Sequence, residues 1–377
     1  MRISVLSHDL SHNCLGRAHV IASLLCDEHD VTIVGPVLGE GIWEPLRQDR
    51  TVRYRPVDRR LGTDGLVKAA DGDLLYAVKP KGTSLGVALR ARVERPRPVI
   101  ADVDDWELGF FLDDLPWLAR NLLRPRDTNG LFATWSMERA VRRADAVTVA
   151  SRWLQRRFGG VLIPQVIPDD DGRPPDRRLV GSPENEWLAG RFVIALLGPH
   201  REEDIRTVLR SLDFLGDQRM VLVIPQGMSG NFSGCENVGV LGSSSRPPRP
   251  HPLAVADVAV FARQDNRTRR AGVPADILHA MDTGIPIVAT AVSDLPRVLE
   301  GCGRLVPPGH AGLLARALRE LMDLPSLRAE MVRTARLRAR AEYSGASMRP
   351  LMELVVSSAM ESGTRGAVEP CAHSRNM

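Results

Sequence analysis

Apolar residues along this chain come in short runs set apart by amphipathic stretches. The runs are RISVLS at 2–7, VTIV at 31–34, DLLYAV at 73–78, PVIADV at 98–103 and AVTVA at 146–150. The pattern resumes with FVIALL at 192–197, VLVI at 221–224, VADVAV at 255–260 and IVA at 287–289. Runs this short, rich in Val, Ile and Leu and bounded by polar residues, predict strands buried on both faces of a parallel sheet. Stretches of helical character lie between them, at 17–26, 136–143 and 326–342. The alternation predicts a doubly wound α/β architecture. One polar segment, DDDGRPPDRRLVGSPENE at 169–186, is rich in Pro and Gly and has no apolar period, so it predicts a linker. At 377 residues the chain has room for two domains of ordinary size.

The most informative stretch is 267–296, RTRRAGVPADILHAMDTGIPIVATAVSDLP. Arg267, Arg269 and Arg270 stand in what reads as a charged loop before Gly272 and Pro274. Pro274 suits the first turn of a helix, where its missing N–H is not needed. Ile277, Leu278 and Met281 give that helix one apolar face. Gly284 ends it and Pro286 prevents its continuation. A helix N-terminus offers free N–H groups and a partial positive charge. With three arginines beside it, this one is a candidate anion site, and a diphosphate is the anion it suits.

The same stretch resembles the donor-site segment of family 4 glycosyltransferases, which have two facing Rossmann-like domains (the GT-B architecture). Many members carry G-x-P-x-K-x-x-E-x-M-x-x-G-x-P-V-V-A. Here the frame reads Gly272, Pro274, Asp276, His279, Met281, Gly284, Pro286, Ile287, Val288, Ala289. Asp276 stands at the family's Lys, His279 at its ribose-binding Glu, and Ala271 at the acidic residue many members place eight positions before that Glu. ADAVTVASRWL (144–154) and GRLVPPGHAGLLARALREL (303–321) resemble further family segments. The resemblance implies two doubly wound domains facing a cleft. They would fill residues 1–168 and 191–342, with a linker over 169–190, a helix over 343–361 returning to the first domain, and a disordered tail over 362–377. It implies transfer of a sugar, as in hexosyltransferases, from a nucleotide diphosphate sugar to an acceptor hydroxyl with retention of configuration.

The resemblance also distributes roles. Arg267, Arg269, Arg270 and Arg201 would bear the diphosphate, and His279 would meet the ribose. Asp276 would lie in the same donor site, and Gly16 would be the small residue of the first cleft loop. The family places an Arg and a Lys after the first strand of domain two; here Arg201, with His200 beside it, is the basic residue and the Lys is missing. Asp104 and Asp105 would face the acceptor, with His12 completing the catalytic set. No metal-ligand pair is apparent and no cofactor is implied beyond the nucleotide sugar itself. Arginines and helix dipoles would then stabilise the leaving diphosphate.

Three other segments carry chemistry. In HDLSHNCLG (8–16), His8, Asp9, His12 and Asn13 crowd the end of the first strand, where ligands bind in open α/β sheets; they either form a site or cap the next helix. G-x-G-x-x-G is absent, so there is no dinucleotide fingerprint. KPKG follows DLLYAV with Lys79 and Lys81, and then Thr83 and Ser84. Asp102, Asp104, Asp105 and Glu107 cluster at the end of PVIADV, where carboxylates repel one another unless they face water or a ligand. Recognition of an acceptor hydroxyl and capping of the next helix are both open there. In PWLARNLLRPR (116–126), Trp117, Leu118, Leu122 and Leu123 interleave with Arg120, Arg124 and Arg126. Such a helix either packs on its own domain or lies on an anionic membrane surface.

Composition narrows the function classes. All but three of the 50 basic residues are arginine, and the net charge is only +4. Without an aromatic-laced basic stripe, nucleic acid is not an expected partner. No apolar run is long enough to span a membrane, and MRISVLSHDLSHN does not read as a signal peptide. The five cysteines show no metal spacing. A cytoplasmic protein with reduced thiols is expected, with peripheral contact at the inner membrane face open. The expected partners are a nucleotide sugar donor and a glycan, lipid-linked or small-molecule acceptor. Two alternatives share the fold: a catalytically silent subunit of a partner glycosyltransferase, favoured by Ala271, Asp276 and His279, and a nucleotide-sugar epimerase.

Overall fold

The computed structural model describes residues 1–167, 180, 182–198, 201–224, 235, 237–241 and 252–366. The chain divides into two compact units, Met1–Gln165 together with Met348–Met377, and Val166–Ser347.

Unit 1 is built on seven strands, β1 (Arg2–Leu6), β2 (Asp30–Pro36), β3 (Arg53–Val57), β4 (Leu74–Val78), β5 (Val99–Val103), β6 (Ala146–Val149) and β7 (Val161–Leu162). They form one sheet in the order β3-β2-β1-β4-β5-β6-β7, and every pairing is parallel. Ile3 lies opposite Val31 on one side and Leu74 on the other. Every residue of β4 and β5 is buried, as their continuous apolar runs require. β3 has no such run. It is an edge strand, mostly exposed, and it carries Pro56, which only an edge position tolerates.

The helices of this unit are α1 (Cys14–Leu25), α2 (Gly62–Ala69), α3 (Val87–Glu94), α4 (Glu107–Leu112), α5 (Leu115–Leu122), α6 (Leu131–Ala140) and α7 (Arg152–Phe158). Three boundaries differ from those expected. α1 begins at Cys14, so Gly16 sits in its first turn and not in a loop. α5 stops at Leu122, four residues short of the amphipathic segment's end. α6 begins at Leu131, five residues before Ser136. Ser151 caps α7, its hydroxyl accepting from the Leu154 N–H.

Unit 2 contains β8 (Phe192–Leu196), β9 (Met220–Val223), β10 (Val238–Gly239), β11 (Val258–Phe261), β12 (Ile287–Thr290) and β13 (Arg304–Val306). These are again all parallel, in the order β10-β9-β8-β11-β12-β13. Its helices are α8 (Glu202–Leu215), α9 (Arg267–Ala271), α10 (Ala275–Thr283), α11 (Leu295–Val298), α12 (Ala311–Asp323) and α13 (Pro325–Tyr343). α14 (Gly345–Gly366) follows, and its residues from Met348 onward belong to unit 1. There His29 Nε2 lies 3.1 Å from Glu353 Oε2, and Arg349 Nε lies 2.8 Å from Asp27 Oδ2.

Residue 168 and much of the expected linker, 169–179 and 181, lie outside the described residues, as do 243–251 of the expected exposed loop, His200 and 367–377. The linker's second half does not behave as a linker. Residues 183–188 form a 3-10 helix whose Leu188 is fully buried among Val193, Val221 and Val223. The Trp187 ring closes over Gly239, where an added Cβ would come within 2.6 Å of it. Two apolar residues in a polar stretch were enough to anchor it.

Each sheet reverses its strand order once, at β1 between β2 and β4, and at β8 between β9 and β11. Ligands in such sheets bind at the carboxyl ends of the strands beside that reversal.

Candidate functional site

In unit 1 the loops after β1, β4 and β5 meet at that edge. Their foundation is a buried ion pair. Arg17 Nε and Nη2 donate to the two oxygens of Asp102 at 2.9 and 2.8 Å. The same guanidinium donates to the carbonyls of Ile163 at 2.7 Å and Pro164 at 2.9 Å. Thr148 Oγ1 adds a bond to Asp102 at 2.7 Å. Asp102 is therefore a structural carboxylate.

The next carboxylates surround Lys79. This residue ends β4 at φ +65°, a left-handed conformation that costs a non-glycine residue about 1–3 kcal/mol. Its N–H is held by the Asp102 carbonyl at 3.0 Å. Its Nζ lies 2.9 Å from Asp104, 2.8 Å from Asp105 and 3.1 Å from Glu107. Lys81 Nζ lies 2.8 Å from the second Glu107 oxygen. Three carboxylates thus face two ammoniums, one negative charge in excess. The excess falls on Asp104, where burial outweighs the pull of Lys79 and pushes the carboxyl up to about 6. Burial would also raise Glu107, but Lys79 and Lys81 prevail and hold it at about 2. Burial pulls Lys79 down while Asp104, Asp105 and Glu107 push it up, and the net shift is well upward. Of the two expected readings, capping and open acceptor recognition, neither describes these side chains fully. They are neutralised from within, and Asp105 remains partly open with 42% of its side chain exposed.

His8 and His12 also separate. Thr83 Oγ1 donates to the His8 carbonyl at 2.9 Å, so its hydroxyl proton is committed. His8 Nδ1, 2.7 Å from the same oxygen, must then be the donor, and Nε2 is left as an acceptor. Burial, reinforced by Lys81, lowers the His8 pKa and keeps the ring neutral. His12, expected to be catalytic, is 64% exposed at its side chain and is paired with Asp9. Asp9 is buried; it accepts from Ser11 N at 2.9 Å and Leu38 N at 3.1 Å, which fixes the loop. Gly16 faces Trp43, with 3.4 Å between that ring and an added Cβ.

In unit 2 the 267–296 segment follows β11. Residues 267–271 are helical, not a loop: Asn266 caps α9, its side-chain oxygen accepting from the Arg269 N–H at 3.0 Å. The three arginines part company. Arg269 is buried, with Nη2 2.5 Å from Asp204. Asp204 also accepts from the N–H groups of Arg201 at 2.9 Å and Gln264 at 3.0 Å. Arg270 makes an exposed two-point pair with Asp265 at 2.6 and 2.8 Å. Arg267 is exposed and has no ion pair among the described residues. Pro274 precedes α10 as its N-cap, and a Cβ added at Gly198, which follows β8 at φ +94°, would stand 3.8 Å from that proline. Asp276 lies in the first turn of α10, and His279 is exposed one turn further on. Gly284 at φ +80° ends the helix. Arg336 caps it, donating to the carbonyls of Asp282 at 2.9 Å and Thr283 at 3.0 Å. Arg201, exposed, stands at the N-cap of α8. Among the described residues no group of three or more His, Cys, Asp or Glu could hold a metal ion.

Lys79 and Lys81 are absent from the expected site set. A signal for them existed: two of only three lysines in the chain stand two positions apart, directly after a buried strand.

Residues 186–323 match a family model described as glycosyl transferases group 1. No curated protein matches the sequence. Among solved structures, Anabaena HepE in complex with UDP and glucose superposes with a TM-score of 0.72 at 16% identity, covering 95% of this chain and 100% of that one. Sucrose-phosphate synthase from Thermosynechococcus elongatus gives 0.65 at 15% identity, covering 96% and 100%. A putative UDP-N-acetylglucosamine 2-epimerase from Listeria monocytogenes gives 0.57 at 11% identity, covering 96% of each chain. At these identities the structures show the fold, which is GT-B. The matched segment lies within unit 2.

Proposed function

We propose that this chain, which has the GT-B fold and resembles glycosyl transferases group 1 over residues 186–323, transfers a sugar from a nucleotide diphosphate sugar to an acceptor hydroxyl. The observation that carries the reading is the Gly272–Ala289 frame. It lies inside the matched segment, after β11, one of the two strands flanking β8 where the order reverses. Unit 2 takes the donor. The N-terminus of α10 and the exposed Arg267 and Arg201 face the diphosphate, and His279 meets the ribose. Unit 1 takes the acceptor at Asp105, whose side chain is the open one, with Asp104 behind it on Lys79. Transfer proceeds with retention, without a metal ion and without a further cofactor; cationic side chains and the helix dipole offset the charge on the leaving diphosphate.

HepE has been seen with UDP and glucose, so UDP-glucose heads the donor screen. A ligand that binds only the folded state raises the melting temperature in step with its concentration over Kd. A charge-assisted hydrogen bond is worth about 1.5–3 kcal/mol, so Arg267→Ala is expected to weaken donor binding about ten- to a hundredfold. His279→Ala removes one neutral hydrogen bond and should cost about tenfold or less. Turnover should survive a metal chelator. If no nucleotide sugar shifts the melting temperature, the chain is the silent subunit of the alternative reading. If a chelator stops turnover, the metal-free step is wrong.

No helix among the described residues is long and apolar enough to cross a membrane. Surface contact is a separate matter, and we place it on α5. Leu115, Leu122 and the following Leu123 are 72%, 52% and 84% exposed beside the exposed Arg120 and Arg124. Trp117 is unsuited to test this, because its ring stacks on buried Phe111 at 4.2 Å. Leu122→Ser with Leu123→Ser should reduce binding to phosphatidylglycerol vesicles and leave the melting temperature unchanged. Undiminished vesicle binding would remove α5 from the contact.

A further inference from the structure

Unit 1 has a pocket of about 300 Å³ on the flank of α6 and α7. Its lining includes Trp135, Glu138, Arg139, Arg142, Arg157 and Phe158. Most of its polar groups are already oriented. Buried Glu138 accepts from the Leu108 N–H at 2.9 Å and pairs with Arg157 at 3.3 Å. The Arg157 guanidinium lies over Trp106 at 4.7 Å, Phe158 at 5.5 Å and Trp153 at 5.9 Å. Arg139 lies over Trp135 at 4.9 Å. Arg142 is exposed and has no ion pair among the described residues.

We infer that this pocket binds a phosphate group carried on an apolar or planar body. Three guanidiniums against one carboxylate leave two positive charges. A phosphomonoester carries about 1.5 to 2 negative charges at neutral pH, which is the complement. Arginine is the side chain whose planar fork matches phosphate oxygens. Arg157, fixed by rings and by Glu138, is held in place before a ligand arrives. The body of the ligand has a seat as well. Trp135 is 50% exposed and Phe132, one turn earlier on α6, is 42% exposed. The Trp135 ring also carries the Arg139 guanidinium, and both rings are costly to leave in water. The inference does not rest on the transfer reaction proposed above, because its site lies in unit 1 and its test is binding.

The test is calorimetric titration of the full chain with phenyl phosphate. Saturable binding is expected. Arg142→Gln and Trp135→Ala should each weaken it about tenfold, while Arg210→Gln, at an exposed arginine of α8, leaves it unchanged. Vesicles of phosphatidylcholine doped with phosphatidic acid then identify the source. Release of the chain from these vesicles by phenyl phosphate assigns the site to a lipid phosphate. Saturable phenyl phosphate binding that does not release the chain from the vesicles, or that occurs with no vesicle binding, assigns it to a soluble phosphate ester. Both outcomes support the site. It is overturned if phenyl phosphate does not saturate, if Arg142→Gln binds as tightly as the parent, or if Arg267→Gln alone abolishes binding. Arg142 is exposed, so its variant remains decisive should Trp135→Ala fail to fold.

Discussion

Lys79→Met is expected to destabilise unit 1 by about 3–5 kcal/mol near neutral pH, the range for removing one partner of a buried ion pair. Methionine keeps most of the lysine's volume, so packing contributes little to the loss. What is lost is the ammonium between Asp104, Asp105 and Glu107, all within 3.1 Å of it. Lys81 touches only Glu107 among the three and cannot replace it. The pH dependence separates this cause from simple misfolding. In the parent protein Glu107 is depressed to about 2, so its contribution is present above its ordinary pKa near 4.5 and is lost as pH falls toward 2. Asp104 is raised to about 6 from an ordinary 3.8, so it works in the opposite sense, and its contribution is lost as pH rises from about 4 to about 6. Without Lys79 every carboxyl in the cluster is harder to ionise, and acid relieves the repulsion. The gap between variant and parent should therefore be smaller at pH 5 than at pH 7 in urea titrations. A gap of the same size at both values would mean that the charges are not its source.

How far the sequence reveals this molecule depends on the range of the interaction involved. The parallel strands are legible because burial on both faces writes an unbroken apolar run, as in β4 and β5. β3 is not, because an edge strand needs no such run. Gly284 was readable because its backbone preference is local, and it stands where that preference places it; Pro274 falls one residue before the expected first turn, as the extended N-cap of α10. α9 was not. RTRRA has no apolar period, and what makes it helical is the Asn266 cap together with a pairing to a residue 65 positions earlier (269 − 204). In unit 1 the crowding of Asp104, Asp105 and Glu107 was visible as a problem of repulsion. Its solution, Lys79, lies on another strand end and could be found only through the sheet. The choice between His8 and His12 likewise turns on Thr83, a residue 75 positions from His8.

Arg269→Ala is expected to cost unit 2 about 3–5 kcal/mol, whereas Arg270→Ala should leave its melting temperature unchanged. The contrast follows from burial. Arg269 is 6% exposed and Asp204 is fully buried, so the pair is shielded from water and its loss strands a carboxylate in the interior. Asp204 would keep only the N–H groups of Arg201 and Gln264, which satisfy hydrogen bonding and do not cancel the charge. That carboxylate joins the start of α8 to the loop after β11 and to α9, so the damage falls on three segments around the donor frame. Arg270 and Asp265 stand in solvent, where water replaces either partner. The three neighbouring arginines should therefore differ: Arg269→Ala is expected to change stability, Arg267→Ala donor affinity under the proposed function, and Arg270→Ala neither. Scanning calorimetry reads the first, and nucleotide-sugar titration well below the transition reads the second. At such a temperature Arg269→Ala should still bind donor within about tenfold of the parent, because its frame is weakened but folded. A variant that melts like the parent and loses donor affinity a hundredfold would show that Arg269 serves the diphosphate and that its bond to Asp204 does not hold the fold.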